Sequence, residues 1–304
     1  MNRVTQEISV PLEMPQEAIE PGLMSDLFVL TKARLSLLVI ITTFVGFCMA
    51  SGAHLDWLLL LHAVGGTTLA AAAAAVLNQC LEANVDRLME RTRNRPLPSG
   101  RMKPSHALVL GAVMGVGGVA WLGLAVNTFS AALAAATILI YIAAYTPLKR
   151  RTSFCTIVGA IFGAIPPVIG WVSVQPSLGL GAWVLFGILF TWQMPHFLAI
   201  AWMYRDEYAQ AGFVMLRRDD LSGCATAMQS LLYTGALIIC TLIPFHAGMN
   251  SSIYLGGALL LDGVMLLFAV QFMLERDRIS ARRLFLASII FLPLILGLMI
   301  FTKL

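Results

Sequence analysis

The chain has 304 residues, 59% of them hydrophobic and only 12% charged, with a formal net charge of +4. An ordinary soluble domain carries about 45–50% apolar and about 25% charged residues, so a soluble globular protein is excluded and a polytopic, all-α membrane protein is expected. The small positive charge is better explained by the sidedness of a membrane protein than by nucleic acid, and no nucleic-acid partner is expected.

Residues 1–24 are polar and acidic, contain three prolines, and lack a basic start before an apolar core. They read as a disordered cytoplasmic tail rather than a signal peptide, ahead of a single transmembrane domain over 25–304. A helix needs roughly 20 apolar residues to cross a bilayer. Nine stretches qualify, at 35–53, 57–81, 107–124, 128–146, 155–173, 178–202, 224–245, 252–273 and 284–302. In that nine-helix bundle, all but one of the 20 basic residues fall on one face, and the exception is Lys303 near the C-terminus. Basic residues near helix ends mark the cytoplasmic side, which puts the N-terminus in the cytoplasm, the C-terminus outside, and the protein in the cell inner (plasma) membrane. Five cysteines are scattered through the helices without CxxC spacing, so disulfides and zinc are not expected.

The second span runs into NQCLEANVDRLMERTRNRPLPSG, residues 78–100. Asn78, Glu82 and Asp86 follow one another at i, i+4 and i+8, which lines them along one stripe of a helix. All three offer oxygen, the donor Mg²⁺ prefers when it shares its shell with substrate phosphates. Arg91, Arg93 and Arg95 follow, and arginine suits bidentate phosphate contact. The competing reading is a solvated helix end laced with i, i+4 ion pairs. An amide inside the span, costly without a partner, and the rigid turn encoded by RPLPSG favour a magnesium–diphosphate handle.

Further along, YTPLKRRT (145–152) places Tyr145 at a helix end with Lys149, Arg150 and Arg151 behind it, either a positive-inside anchor or added cationic charge beside an anionic ligand. After TWQMPHFLAIAW comes Met203-Tyr204-Arg205-Asp206-Glu207-Tyr208. There Asp206 and Glu207 could complete a metal shell, with Arg205 on phosphate. His196 lies at membrane depth near Gln193, open to a functional role or to helix–helix hydrogen bonding. Asp262, deep in the eighth span, reads as a buried polar contact. The two long polar loops on one face, 82–106 and 203–223, point to a site built jointly from both.

N-x3-E-x3-D followed by MERTRNRPLPSGR resembles the first signature of the UbiA-type intramembrane prenyltransferases. TKAR (31–34), YTPLKRRT with TIVGAIFGAIPPVIGW, and WQMPHFLAIAWMYRDEYAQAGFVML are similar to the protoheme IX farnesyltransferases within that superfamily. The resemblance runs from Thr31 to the ninth helix. It implies a nine-helix bundle with a lipid-accessible cavity near the cytoplasmic face, and Asn78, Glu82, Asp86 and Asp206 as ligands of Mg²⁺ bound with farnesyl diphosphate. His196 joins these as a catalytic candidate, and Lys32, Arg34, Arg91, Arg95, Lys149, Arg150 and Arg205 become the cations for diphosphate or haem propionates. The pattern departs from the usual one: Glu82 replaces an aspartate, and Tyr204 and Tyr208 stand where quinone-making relatives carry the acids of a D-x3-D motif.

The implied reaction ionises farnesyl diphosphate, joins the farnesyl group to a vinyl group of haem B (protoheme IX), and adds water to give haem O for haem–copper terminal oxidases. Haem A synthase or terminal-oxidase assembly is the implied downstream partner. Tyr145, Trp192 and Tyr204 are candidates to shield the allylic cation. A 4-hydroxybenzoate or other quinone-precursor prenyltransferase is the enzymatic alternative. A haem or ion transporter is disfavoured, since transporters set charged groups near mid-membrane and this chain gathers them at one face.

Overall fold

A computed structural model describes residues 22–304, apart from the side chains of residues 34 and 35. The expected tail therefore lies outside the described residues up to position 21, and helix is already present at 23. The chain forms α1 (Leu23–Leu30), α2 (Ala33–Ala50), α3 (Trp57–Asp86), α4 (Pro104–Ala125), α5 (Thr128–Leu148), α6 (Cys155–Val174) and α7 (Leu180–Met203). Then follow the short α8 (Arg205–Gln210), α9 (Cys224–His246), α10 (Ser252–Glu275) and α11 (Arg278–Phe301). Among the described residues, eight helices are long and apolar enough to cross a membrane. A shorter apolar helix over 36–50 lies where the first of the nine expected spans falls.

Large apolar side chains face outward all along these helices, among them Leu58, Val116, Leu124, Ile239, Leu260 and Ile290. Such a surface is stable only in lipid. With no hydrophobic force to press helices together there, small residues let the backbones close up. A Cβ on Gly46 of α2 would stand 1.9 Å from the Pro167 carbonyl oxygen of α6, and one on Gly170 would stand 2.0 Å from that of Thr43. The alanine run of α3 packs in the same manner on α4, where a Cβ on Gly118 would meet the Ala70 amide nitrogen at 2.8 Å. The largest apolar core joins α7, α9, α10 and α11 with parts of α2 and α6.

Three local features shape the site. The helix α6 is interrupted at Ala164, just ahead of Pro166-Pro167, which cannot donate backbone hydrogen bonds. In α5, residues Ile140–Tyr145 wind as a π-helix, a form concentrated at functional sites. The helix α1 lies across one end of the bundle, tied by Gln79 Nε2 donating to the Val29 and Leu30 carbonyls at 3.3 and 2.6 Å and by Arg101 paired with Asp26 at 2.8 Å.

The odd cation out in the sidedness count, Lys303, has a structural task. Its ammonium donates to the Cys48 carbonyl at 2.8 Å and to that of Ser51, at the C-terminal end of α2, fastening the end of the chain to its first long helix. All five cysteines are free thiols. Asp262 is buried, and Thr241 Oγ1 donates to it at 2.7 Å across α9 and α10, the polar contact expected of it.

Candidate active site

The stripe on α3 exists because the helix does not stop at the end of its apolar run but continues to Asp86. Asn78, Glu82 and Asp86 are 0%, 6% and 1% exposed, so each needs a partner. Asn78 Oδ1 accepts from Thr146 Oγ1 at 2.9 Å, and its Nδ2 donates to Glu82 Oε2 at 2.9 Å. Lys149 Nζ donates to both oxygens of Glu82, at 2.9 and 3.1 Å. The RTRNRPLPSG turn folds back over the helix end, where Arg95 pairs with Asp86 at 2.7 Å and Thr92 Oγ1 donates to the Asp86 carbonyl at 2.8 Å.

Glu82, Asp86, Thr92, Arg95 and Lys149 line one end of a cavity of about 950 Å³, whereas Asn78 and Thr146 are not part of its wall. Lys32, Arg91, Arg95 and Lys149 face Glu82 and Asp86 there, four cations against two carboxylates. The surplus positive charge makes this end a receptor for a polyanion. Burial, then the neighbouring Lys149 and Arg95, pull the Lys32 ammonium down to about 7. Burial opposes the charge of Lys149 as well, but Glu82 outweighs it and the net shift is upward. Away from this end the wall turns apolar through Leu38, Val39, Ala71, Ala75, Phe162 and Leu189 and reaches Trp192, Gln193 and His196. A charged mouth and a greasy interior suit an amphiphile with an anionic head.

Between the two zones the π-helical turn sets Tyr141 and Tyr145 side by side, ring centroids 5.3 Å apart at 26°. Lys32 Nζ donates to Tyr141 Oη at 3.1 Å, and Lys149 sits 4.5 Å from the Tyr145 ring centroid. The two long loops do meet. Arg91 donates to Tyr208 Oη at 3.2 Å and lies over the Tyr204 ring at 5.6 Å, while Val85 and Met89 pack on Ala211 and Phe213.

The remaining expected site residues are placed less centrally. The helix α7 breaks at Tyr204 (φ −113°, ψ 22°) and α8 restarts at Arg205. That turn leaves Asp206 off the cavity wall with its side chain 84% exposed. Arg205 folds over the Trp202 ring at 4.4 Å and donates to its carbonyl. Arg150 is exposed and off the wall, and Tyr204 contributes through Arg91 rather than by lining the cavity. The side chain of Arg34 lies outside the described residues. Sequence reasoning passed over Tyr141 and Thr146; for Tyr141 the one available signal was its position four residues before Tyr145.

Among the described residues, no cluster of three or more His, Cys, Asp or Glu side chains could hold a metal ion unaided. Glu82 and Asp86 alone still fit Mg²⁺ in its usual manner, held by one or two carboxylates and completed by substrate phosphates and water.

The chain is 43% identical to the protoheme IX farnesyltransferase of Solibacter usitatus (strain Ellin6076), over 92% of this chain and 99% of that protein. It is 38% identical to the mitochondrial protoheme IX farnesyltransferase of Homo sapiens, over 93% of this chain and 62% of that one. Its fold is similar to that of a digeranylgeranylglyceryl phosphate synthase structure, with a TM-score of 0.77 at 16% identity, covering 92% of this chain and 98% of the other. A UbiA homolog from Archaeoglobus fulgidus bound to GPP and Mg²⁺ is similar with a TM-score of 0.65 at 11% identity, covering 90% and 99%. With residues 39–295 matching the model of the UbiA prenyltransferase family, and with the fold and relatives agreeing, the chain belongs to that family.

Proposed function

We propose that this protein transfers the farnesyl group of farnesyl diphosphate to a vinyl group of protoheme IX, with addition of water, giving haem O. The observation that carries the reading is the cavity's polarity, a cationic end with two carboxylates opening into an apolar interior large enough for a prenyl tail. The acceptor is drawn from the relatives named above, which are protoheme IX farnesyltransferases.

In this reading the diphosphate occupies the charged end, where Arg91, Arg95, Lys149 and Lys32 meet its oxygens. Glu82 and Asp86 would hold Mg²⁺ between them and the diphosphate, and when bound it would neutralise charge on the leaving group. The C1–O bond of the farnesyl group breaks with its electron pair departing on the diphosphate. The fixed cations stabilise that developing charge without reorganising, which is where electrostatic catalysis is strongest. Tyr141 and Tyr145 face the resulting allylic cation, whose charge aromatic faces favour. C1 then bonds to the terminal vinyl carbon, and water adds to the neighbouring carbon and releases a proton. Asn78 acts as a positioning residue, held by Thr146 and orienting Glu82 in turn. We place the site at the cytoplasmic end of the bundle in the cell inner membrane, the N-terminus inside, on the sidedness of the basic residues.

The test is to supply membranes containing the protein with labelled farnesyl diphosphate and either haem B or 4-hydroxybenzoate. Label is expected in a hydroxyethylfarnesyl haem; label in the benzoate alone would sink the haem assignment.

A further inference from the structure

His196 reaches the cavity from α7, and the side chain behind it fixes which of its nitrogens carries the proton. Its Nδ1 lies 2.8 Å from Ser288 Oγ on α11. A serine hydroxyl has one hydrogen to give, and that of Ser288 goes to the Phe285 carbonyl at 2.6 Å. A carbonyl can only accept, so Ser288 Oγ must accept from the imidazole. His196 therefore carries its proton on Nδ1, and Nε2 is left as a lone pair.

The ring is also held in place. It stacks on Trp192 with centroids 5.0 Å apart at 26° and tilts against Phe285 at 4.9 Å. The Trp192 indole is anchored in turn, donating to the Ser288 carbonyl at 2.8 Å. No ion pair among the described residues involves His196. The outcome is a neutral, oriented imidazole on the wall of a cavity, its Nδ1 committed and its Nε2 without a partner among the described residues. Metal-binding histidines are built in this way, with the second nitrogen donating to a supporting oxygen that sets tautomer and ring angle.

We propose that His196 Nε2 ligates the iron of the porphyrin substrate and that Ser288 is the positioning residue holding His196 in the ligating tautomer. This rests on the haem reading above. It adds how the porphyrin is oriented: one axial bond fixes the macrocycle's height and tilt, so that a vinyl group is carried toward the end where C1 of the farnesyl group is released.

The test uses the full-length protein in lipid nanodiscs, titrated with haem B and followed by its visible absorption and electron paramagnetic resonance. The wild type is expected to show a nitrogen-ligated haem. His196→Ala should lose that signature and recover it with added imidazole. Ser288→Ala should weaken haem binding by roughly tenfold or more, while Ser288→Thr, which keeps the accepting oxygen, should stay close to wild type. Trp192 keeps its backbone partner in both serine variants, so a fall confined to Ser288→Ala is not general loosening. If the wild type binds haem and His196→Ala gives the same spectrum and affinity, ligation by His196 is overturned while the haem reading survives. An unchanged spectrum with lost turnover in His196→Ala likewise overturns it, leaving His196 as the base that takes the proton from the adding water. A wild type that leaves the haem spectrum untouched overturns both.

Discussion

The polar stretches 82–106 and 203–223 both mix acids with arginines, yet only the first turns carboxylates into the cavity. What separates them is helix continuity. The helix α3 runs on past its apolar stretch, so Glu82 and Asp86 inherit the inward face of Asn78 and are buried beside Lys149 and Arg95. The helix α7 breaks at Tyr204, and the restart in α8 gives the inward direction to Tyr208 and leaves Asp206 in solvent. Carboxylates that read alike in sequence face the cavity in one stretch and solvent in the other, according to the phase of the helix that delivers them.

The comparison can be broken at several points. The largest effect is expected from Asp86→Asn, which should lower kcat for haem farnesylation by about 100-fold or more, read by mass analysis of extracted haem. Activity near wild type would show that the α3 stripe is not the handle. Next is Lys32→Met, expected to weaken farnesyl diphosphate binding roughly tenfold, with a distinctive pH signature. In the empty site the Lys32 ammonium titrates near 7. A bound polyanion favours its charged form, so binding takes up a proton, and affinity should fall as pH rises above about 7. That slope should vanish in Lys32→Met, and a slope that survives would assign the titration to another group.

Smaller still is the coupling of the two loops through Arg91 and Tyr208. A double-mutant cycle with Arg91→Gln and Tyr208→Phe, read in diphosphate affinity, should give an interaction energy of about 0.5–1 kcal/mol; additivity would mean that the loops touch without cooperating. The smallest effect belongs to Asp206→Asn, expected to change kcat/KM by no more than about twofold, as an exposed substitution should. A loss on the scale of Asp86→Asn would place Asp206 in the site and erase the contrast between the loops.

Much of this was legible in the chain. A period of four on a continuing helix places Asn78, Glu82 and Asp86 together, and the spacing alone suffices because helix geometry is local. The helices were legible for the same reason, since burial in lipid demands long apolar runs. The break at Tyr204 was not, because no glycine or proline marks it and residues remote in sequence decide which side of α8 faces the cavity. Tyr141 was missed because a π-helical turn has no composition of its own. Ser288 lies 92 residues from His196, and a hydroxyl in an apolar helix gives no sign of which imidazole it will meet.

The π-helical turn over Ile140–Tyr145 amounts to a surplus residue wound into α5, a phase shifter between the membrane-facing part of that helix and the cationic tip that carries Thr146 and Lys149. Each residue of an ordinary α-helix advances the chain by about 100°. Winding the same six residues as regular α-helix would swing everything beyond them by about that angle. Lys149 would then leave Glu82, and Thr146 would leave Asn78. The span would keep its length, its apolarity and its place in the bilayer while the diphosphate end came apart, so in this helix membrane insertion and active-site assembly are separable properties, divided by the winding of six residues.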